Sequence, residues 1–300
     1  MNILIFGSGF IGCNLGIGFH ESEYHVTAVD KIPVNAYFKT YKRNIKHKVD
    51  DIFIKEKPEV VFYTINSRLG RGKNPLLYYI QADVYDFMQV LVNCVKYKVK
   101  KIIFVSSLEL THDNCSECNS LNKFKLNPID NRLINFFTNE MYLQHMKNTY
   151  GLDFVSLRIP QVYGFKPFDH WSDNMIQKLV QSGIKKKELN IKKNIEDGEH
   201  LIYIGDVVSS LIHSMRQNIS GIYNVLGNYH IYGEIMSTVG EFMDLRVNFT
   251  EPKVNSKKKD AFRMNLLENH DWKPIVSLYA GTKAIIDQYQ KNRADMYFRR

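Results

Sequence analysis

The chain has 300 residues, which is enough for one large α/β domain or two modest ones. Hydrophobic residues make up 44% and charged residues 24%, and 8 Pro and 17 Gly exclude a collagen-like or Pro/Gly-driven disordered chain. The net charge is +9, from 40 Lys and Arg against 31 Asp and Glu, and it does not by itself identify a ligand.

The basic residues do not form a binding stripe. They are spread along the chain, and the lysine runs at 185–187, 192–193 and 257–259 are short enough to be solvated loops. We therefore expect no nucleic-acid partner. No apolar run approaches the roughly 20 residues of a membrane helix, and the N-terminus lacks the basic flank of a signal peptide. These features predict a cytoplasmic protein that binds no membrane.

The four cysteines are too few for a disulfide scaffold in a chain of this length, which favours a reducing compartment. Cys115 and Cys118 form a C-x-x-C pair with His112 three residues before it. A zinc site needs a fourth ligand at suitable spacing, and the sequence has no second such pair. We expect free thiols in a polar loop and no metal.

The first thirty residues carry the most informative pattern. An apolar run at 2–6 predicts a buried strand, the motif G-x-G-x-x-G follows at 7–12, and residues 13–20 read as a helix. A second apolar strand at 24–29 ends in Asp30. This order of strand, glycine loop, helix, strand and acidic residue is the dinucleotide-binding fingerprint.

Each residue of the fingerprint has a physical role. Gly7 permits the tight turn, Gly9 lets the backbone approach a pyrophosphate, and Gly12 lets the helix pack closely on the strand. The helix N-terminus then offers unpaired N–H groups to the phosphates. Asp30 is placed to bind a ribose 2′-hydroxyl and to repel a 2′-phosphate, which predicts a preference for NAD over NADP.

Further α/β units follow along the chain. Strands are predicted at 60–65, 101–106, 154–158, 201–204 and 222–225, and helices at 76–97, 132–148, 174–181, 206–216 and 281–290. The fold class is therefore α/β: a Rossmann-type doubly wound parallel sheet with a smaller C-terminal substrate-binding lobe. We predict an NAD-binding domain at 1–164 and a smaller lobe mainly at 165–300, with some later segments returning to the first domain.

These motifs together resemble the extended short-chain dehydrogenase/reductase superfamily, in particular its NAD-dependent epimerase/dehydratase group acting on nucleotide sugars. The resemblance runs almost end to end. It is carried by GFIG at 9–12, the strand and Ser at 99–107, the YGL…LR…VYG segment at 150–164, YIGDV at 203–207, GIYNV at 221–225 and WKP at 272–274.

The resemblance implies NAD as the cofactor. Its cofactor-binding residues correspond here to Gly7, Gly9, Phe10, Ile11, Gly12 and Asp30. Two departures stand out. Phe6 replaces the first glycine of the family's loop, and the residues at 63–66 (YTIN) replace its cofactor-lining HLAA.

The family's catalytic residues correspond less well. The family uses a Ser or Thr with a Tyr-x-x-x-Lys pair on one helix, in which the Tyr takes a proton from the sugar hydroxyl. Ser107 matches the Ser, whereas Arg132 and Phe136 stand at the Tyr and Lys positions. Arg cannot give up its proton at usable pH, and Phe supplies no charge. We therefore expect conventional Tyr-dependent oxidation to be absent or very slow.

A substitute acid or base would have to come from another residue. Tyr163 is the first choice, because the family brings this segment to its ligand. The other candidates are Tyr142, His145 and His112, and packing or surface roles fit them better. On the substrate side, Asn174 stands near a family Asn that meets the nucleotide, and it could equally cap a helix. Glu199 and His200 occupy the region of the family's phosphate-binding Arg.

Two classes of function remain open. The first is an NAD-dependent epimerase, dehydratase or reductase of a nucleotide sugar, with surface polysaccharide biosynthesis as the expected pathway. The second is a catalytically inactive or regulatory relative that binds NAD or a nucleotide sugar. The family also implies a homodimer, formed through the helices at 76–97 and 132–148 with apolar residues at Tyr79, Phe87, Leu91, Phe137 and Tyr142. The alternative place for these residues is the core of the monomer.

Overall fold

The computed structural model describes residues 1–20, 24–32, 38–45, 49–65, 80–111, 131–165, 174–250 and 265–298. The segment from His112 to Cys118, Tyr79 and the lysines at 257–259 lie outside the described residues. Cys13 and Cys94 are buried, and neither of them is part of a disulfide. No described helix is both long and apolar enough to cross a membrane.

Contacts divide the chain into two compact units. The first contains residues 1–159, 208–225 and 261–272, and the second contains residues 160–207, 226–260 and 273–300. The chain therefore leaves the first unit after Ile159 and returns to it twice.

The first unit is built on a seven-stranded sheet. Its strands are β1 (Asn2–Phe6), β2 (His25–Asp30), β3 (Lys39–Lys42), β4 (Val60–Tyr63), β5 (Lys101–Ser107), β6 (Asp153–Ile159) and β10 (Gly221–Asn224). They lie in the order β10-β6-β5-β4-β1-β2-β3, and all of their pairings are parallel. The expected α/β class with a parallel Rossmann-type sheet is confirmed.

Helices connect these strands. They are α1 (Phe10–His20), α2 (Asp50–Glu56), α3 (Asp86–Lys96) with a π-helix before it (Ile80–Tyr85), α4 (Asn131–Tyr150) and α6 (Ile204–Arg216), together with 3-10 helices at Leu108–Thr111 and Leu267–His270. Most predicted elements are present within a few residues, whereas the sequence did not predict β3 or α2. Both are short, and β3 (KTYK) has no apolar run.

Aromatic side chains form much of the first unit's core. Phe6 stacks with Phe53 and Tyr63, and Tyr63 makes an edge contact with Phe87. Phe104 on β5 packs against the same group. This burial of large apolar surface provides the main stabilisation of the sheet that carries the glycine loop.

A buried ion pair ties α4 to β6. Glu140 on α4 accepts hydrogen bonds from the Arg158 guanidinium, at 3.0 Å from Nε and 2.6 Å from Nη2. The Ser156 hydroxyl also donates to Glu140, at 3.1 Å. These bonds hold the middle of α4 on the sheet, and so they also fix where the first turn of the helix lies.

The second unit is smaller. Its strands are β7 (Gln161–Tyr163), β8 (Leu189–Ile191), β9 (Gly198–Tyr203), β11 (Asn228–Ile231) and β12 (Val247–Phe249), and its helices are α5 (Met175–Lys185), α7 (Tyr232–Gly240) and α8 (Leu278–Phe298). The strands form a three-stranded sheet of order β11-β9-β7 and a two-stranded sheet of β12 and β8. Of these strands, only β9 was predicted.

Candidate functional site

The glycine loop between β1 and α1 has the geometry that a bound pyrophosphate requires. Gly7 has φ of +99°, which only glycine adopts readily. A Cβ on Gly12 would lie 1.8 Å from the Gly7 carbonyl oxygen, so this position excludes any larger residue. A Cβ on Gly9 would meet nothing within 4 Å. The backbone at Gly9 is therefore open to an approaching ligand.

Thr64, which follows β4, holds the loop from the side. Its hydroxyl lies 2.9 Å from the Gly7 carbonyl oxygen and 3.2 Å from that of Phe6. Phe6 itself is fully buried in the aromatic core. The side chain at the family's first glycine position therefore points away from the loop, and the loop keeps its shape without that glycine.

Asp30 lies at the carboxyl end of β2, beside the glycine loop. One carboxylate oxygen accepts a 2.6 Å hydrogen bond from the Ser8 N–H, and the other accepts a 3.0 Å bond from the Ile32 N–H. A carboxylate has about four acceptor sites, so these two bonds leave room for hydroxyl donors. The arrangement suits the recognition of a ribose diol. Phe10 and Ile11, in the first turn of α1, are partly exposed at the other side of the loop.

A second group of polar side chains surrounds Ser107, the last residue of β5. The Ser107 hydroxyl oxygen accepts a 3.3 Å hydrogen bond from the Glu109 N–H. The Glu109 carboxylate forms an ion pair with the guanidinium of Arg132 from the first turn of α4. Both side chains keep about a third of their surface exposed, 33% for Glu109 and 32% for Arg132. Ser107 and Arg132 therefore lie close together, joined by a glutamate that the sequence patterns did not reveal.

Phe136 lies one turn further along α4 and belongs to the core. It is 6% exposed, and its ring centroid lies 6.0 Å from that of Phe104. The position that holds a lysine in the family is thus apolar and buried. The charged groups near Ser107 come instead from Glu109 and Arg132.

Tyr163, the first choice for a substitute base, is buried in the second unit. Its hydroxyl donates to the Ser277 carbonyl oxygen at 3.3 Å, and a Cβ on Gly281 would lie 2.6 Å from its ring. Burial raises the pKa of Tyr163 well above its usual value, and the nearby charge of Asp206 raises it further. These contacts favour a packing role, because a phenol with a raised pKa ionises less readily.

Asn174, the candidate substrate residue, caps α5. Its side-chain oxygen accepts a 2.9 Å hydrogen bond from the Gln177 N–H, and its amide nitrogen donates to the Val162 carbonyl oxygen at 2.9 Å. These contacts match the helix-capping alternative. The capping residue also fixes β7 relative to α5.

The region of the family's phosphate-binding arginine is mixed in charge. Glu199 lies on β9, and its charge and that of Asp197 add to the effect of burial in raising the pKa of Tyr232. The Lys193 ammonium contacts the Tyr232 hydroxyl and lies 4.3 Å from the centre of its ring. Lys193 is therefore a cation in this part of the second unit, where the sequence pattern indicated only a solvated lysine run.

The two helices expected at a dimer interface divide their apolar residues between the core and the surface. Phe87 and Leu91 are completely buried, so they belong to the protomer's own core and cannot be interface residues. Phe137 packs partly against that core. Large apolar side chains with exposed surface on these elements are Ile80, Tyr85, Val92, Ile134, Met141, Tyr142 and Tyr150.

Comparison with known proteins places these features in a family. The model of the NAD dependent epimerase/dehydratase family matches residues 3–225. A relative, the dTDP-D-glucose 4,6-dehydratase of Dictyostelium discoideum, is 25% identical over an alignment of 255 positions, and this alignment covers 75% of this chain. The chain spans only 58% of the length of that relative.

Solved structures share the fold over nearly the whole chain. The UDP-glucose 4-epimerase of Thermotoga maritima, determined with UDP-glucose, has a TM-score of 0.83 at 22% identity and covers 97% of this chain and 99% of its own. The UDP-glucose 4-epimerase of Thermus thermophilus, in complex with NAD, has a TM-score of 0.80 at 21% identity with the same coverage.

Proposed function

The chain belongs to the NAD dependent epimerase/dehydratase family, and from this premise we propose that it binds NAD and a nucleotide sugar and acts in surface polysaccharide biosynthesis. The observation that carries the proposal is the glycine loop, with an open backbone at Gly9 and the Asp30 carboxylate beside it. NAD supplies a hydride acceptor in such proteins. The chain's own residues have to bind the two ligands and transfer the proton.

The residues of the first unit fit NAD. The N-terminus of α1 begins at Phe10, directly after the glycine loop, and its N–H groups and dipole favour a pyrophosphate. Asp30 has acceptor sites for a ribose diol, and its negative charge disfavours a 2′-phosphate. Arg43, near the end of β3, is held in an ion pair with Asp51, which makes it a poor partner for such a phosphate.

A pair of glycine substitutions tests the cofactor proposal. Gly9→Val places its side chain in open space, so the variant should fold normally and lose NAD binding because the valine blocks the pyrophosphate. Gly240→Val is the matched control, since a Cβ there also meets nothing within 4 Å and the site lies at the end of α7. Calorimetric titration should show NAD binding by the control and none by Gly9→Val. Equal binding by both variants would contradict the proposal.

The sugar nucleotide is proposed by relation to the family. The structural neighbour from Thermotoga maritima was determined with UDP-glucose. Titration of this protein with UDP- and dTDP-sugars, in the presence and absence of NAD, tests the assignment. Failure of every such nucleotide sugar to bind would reject it.

The alternative is a non-catalytic or regulatory relative that binds NAD or a nucleotide sugar. The observation that favours it is the pair of replacements on α4: Arg132 cannot act as a base, and Phe136 is buried among aromatic rings. The enzyme requires binding of both NAD and a nucleotide sugar, whereas the non-catalytic relative binds NAD or a nucleotide sugar. They differ in turnover, because only the enzyme would form NADH or an altered sugar from the bound pair.

A further inference from the structure

We propose that Glu109 is the proton-accepting residue of this site and that Arg132 positions it. The inference rests on the proposed function, since it assigns a role at the same NAD and nucleotide-sugar site. It replaces the family's tyrosine and lysine with a carboxylate and a guanidinium. Tyr163 would then have no part in proton transfer.

The position of Glu109 at the end of β5 is the first observation that supports this proposal. The 3-10 helix at Leu108–Thr111 follows β5 directly, so Glu109 lies two residues beyond Ser107 at the carboxyl end of the sheet. The Glu109 N–H donates to the Ser107 hydroxyl oxygen. This hydrogen bond fixes the Glu109 backbone beside the Ser107 side chain. In open parallel sheets, ligands bind outside this edge. Glu109 is therefore a partly exposed carboxylate at the edge where the substrate is expected.

The position of Arg132 in the first turn of α4 is the second observation that supports this proposal. Arg132 stands at the tyrosine position of the family motif, and its guanidinium reaches Glu109. The guanidinium cannot accept a proton, but it orients a carboxylate well because its donors form a rigid planar fork. Both α4 and β6 pack against this 3-10 helix, and their charged residues Glu140 and Arg158 pair with each other. Arg132 is therefore a positioning residue.

The proton and electron balance is complete with these groups and NAD. Oxidation of a sugar hydroxyl breaks one O–H bond and one C–H bond. The hydroxyl proton passes to a Glu109 oxygen, while the hydride, with both electrons of the C–H bond, passes to NAD⁺. A ketone, NADH and a neutral carboxyl group remain, and the reverse transfer regenerates the carboxylate.

The experiment measures NADH formation in a single turnover with a panel of UDP- and dTDP-sugars, using the full chain. Glu109→Gln should slow NADH formation by about 10²-fold or more, since a positioned base contributes about 10²–10⁴-fold. Glu59→Gln is the matched control, because Glu59 is also a partly exposed glutamate paired with a cation, Lys100, and lies at the amino-end edge of the sheet. Its rate should equal that of the unchanged protein.

Two Arg132 variants separate positioning from simple folding. Arg132→Met should slow transfer, because the Glu109 carboxylate loses the planar donors that orient it. Arg132→Lys should recover part of the rate. Calorimetric titration with NAD gives a readout without turnover: Arg132→Met and Glu109→Gln should bind NAD as the unchanged protein does, because neither residue belongs to the glycine loop.

The outcomes distinguish this inference from the proposed function. Failure of NAD and nucleotide sugars to bind would reject the proposed function. Binding of both without NADH formation would leave the proposed function in place and overturn the role of Glu109. Equal rates for Glu109→Gln and Glu59→Gln would overturn it as well.

Discussion

The ring of Phe136 lies 6.0 Å from the ring of Phe104, so the family's lysine position faces the aromatic core of the sheet in this protein. One turn earlier on the same helix, Arg132 reaches the edge of the sheet and pairs with Glu109. The replacement at one position is thus a core residue and the replacement at the other is a charged site residue. Substitution of Phe136 should therefore change mainly the stability of the protein, and substitution of Arg132 should change mainly its chemistry.

Restoring the lysine should destabilise the protein. Phe136→Lys removes a buried aromatic ring and places an ammonium group beside Phe104, so we expect a loss of about 3–5 kcal/mol in the free energy of unfolding. Ile134→Lys, on the exposed side of the same helix, should change it by about 0.5 kcal/mol or less. Urea denaturation measures both. Equal stability of the two variants would show that Phe136 does not pack as described.

The loss of stability expected for Phe136→Lys also applies to the double variant Arg132→Tyr with Phe136→Lys. A gain of Tyr-dependent activity requires a folded protein, so the double variant needs its stability measured beside its rate. We expect little gain, because the core around Phe104 is built for a phenyl ring. Robust activity gained only by the double variant would indicate a decayed site of the family's usual kind.

The buried pair of Glu140 and Arg158 should contribute strongly to stability. Glu140→Gln leaves the Arg158 guanidinium buried without its anionic partner, which should cost about 3–5 kcal/mol. Asp51→Asn, in the exposed pair with Arg43, should cost about 1 kcal/mol or less. Denaturant titration of the two variants tests the difference, and a small effect at Glu140 would contradict the anchoring of α4 by this pair.

Cofactor choice should depend on Asp30. We expect tighter binding of NAD than of NADP. Asp30→Asn should weaken NAD binding, and it should also reduce the difference between the affinities for NAD and NADP, because the repulsion of a 2′-phosphate is lost. The asparagine oxygen can still accept the bond from the Ser8 N–H, so the glycine loop should stay intact. Titration with both cofactors measures the preference. Tighter binding of NADP by the unchanged protein would refute the role of Asp30.

Acid should weaken the fold through Glu56. Burial of this carboxyl opposes ionisation, but hydrogen bonds from Lys39, Tyr41 and Thr27 outweigh it and lower the pKa of Glu56. A lowered pKa in the folded state means that the stabilisation is complete above the unfolded-state pKa and is lost as the pH falls through the folded-state pKa. Glu56→Gln should therefore lose stability at neutral pH and show a smaller further loss in acid. An identical acid dependence of unfolding in both proteins would exclude Glu56 as a contributor.

The expected homodimer should depend on the exposed apolar residues of α3 and α4. Val92→Glu combined with Ile134→Glu places charges in the proposed contact and should produce monomers. Ile54→Glu, at an exposed apolar residue of α2, should leave the dimer unchanged. Light scattering at micromolar concentration measures both. A monomeric unchanged protein would reject the dimer.

The sequence predicted the glycine loop and most strands of the seven-stranded sheet because a strand and a turn leave local patterns. A run of apolar residues ending at Gly7 specifies a strand and a turn without knowledge of the rest of the chain. Strand β3 was missed because none of its four residues is buried and they contain no apolar run.

The composition of the site was harder to predict than its position. Glu109 pairs with a residue 23 positions later, and no spacing rule connects a 3-10 helix to the first turn of a distant helix. Tyr163 was selected from its place in a motif, which does not reveal that its ring packs against Gly281. Direction and burial of a side chain depend on tertiary packing, and periodicity alone does not determine them.

A crystal structure of the protein with NAD and a bound nucleotide sugar tests the central claim most directly. The quantity to measure is the distance from the Glu109 carboxylate to the sugar hydroxyl beside the nicotinamide. We predict a distance within hydrogen-bond reach, about 2.6–3.2 Å, with Arg132 still paired to Glu109. A sugar hydroxyl that instead contacts another proton-accepting side chain, with Glu109 turned away, would contradict this claim.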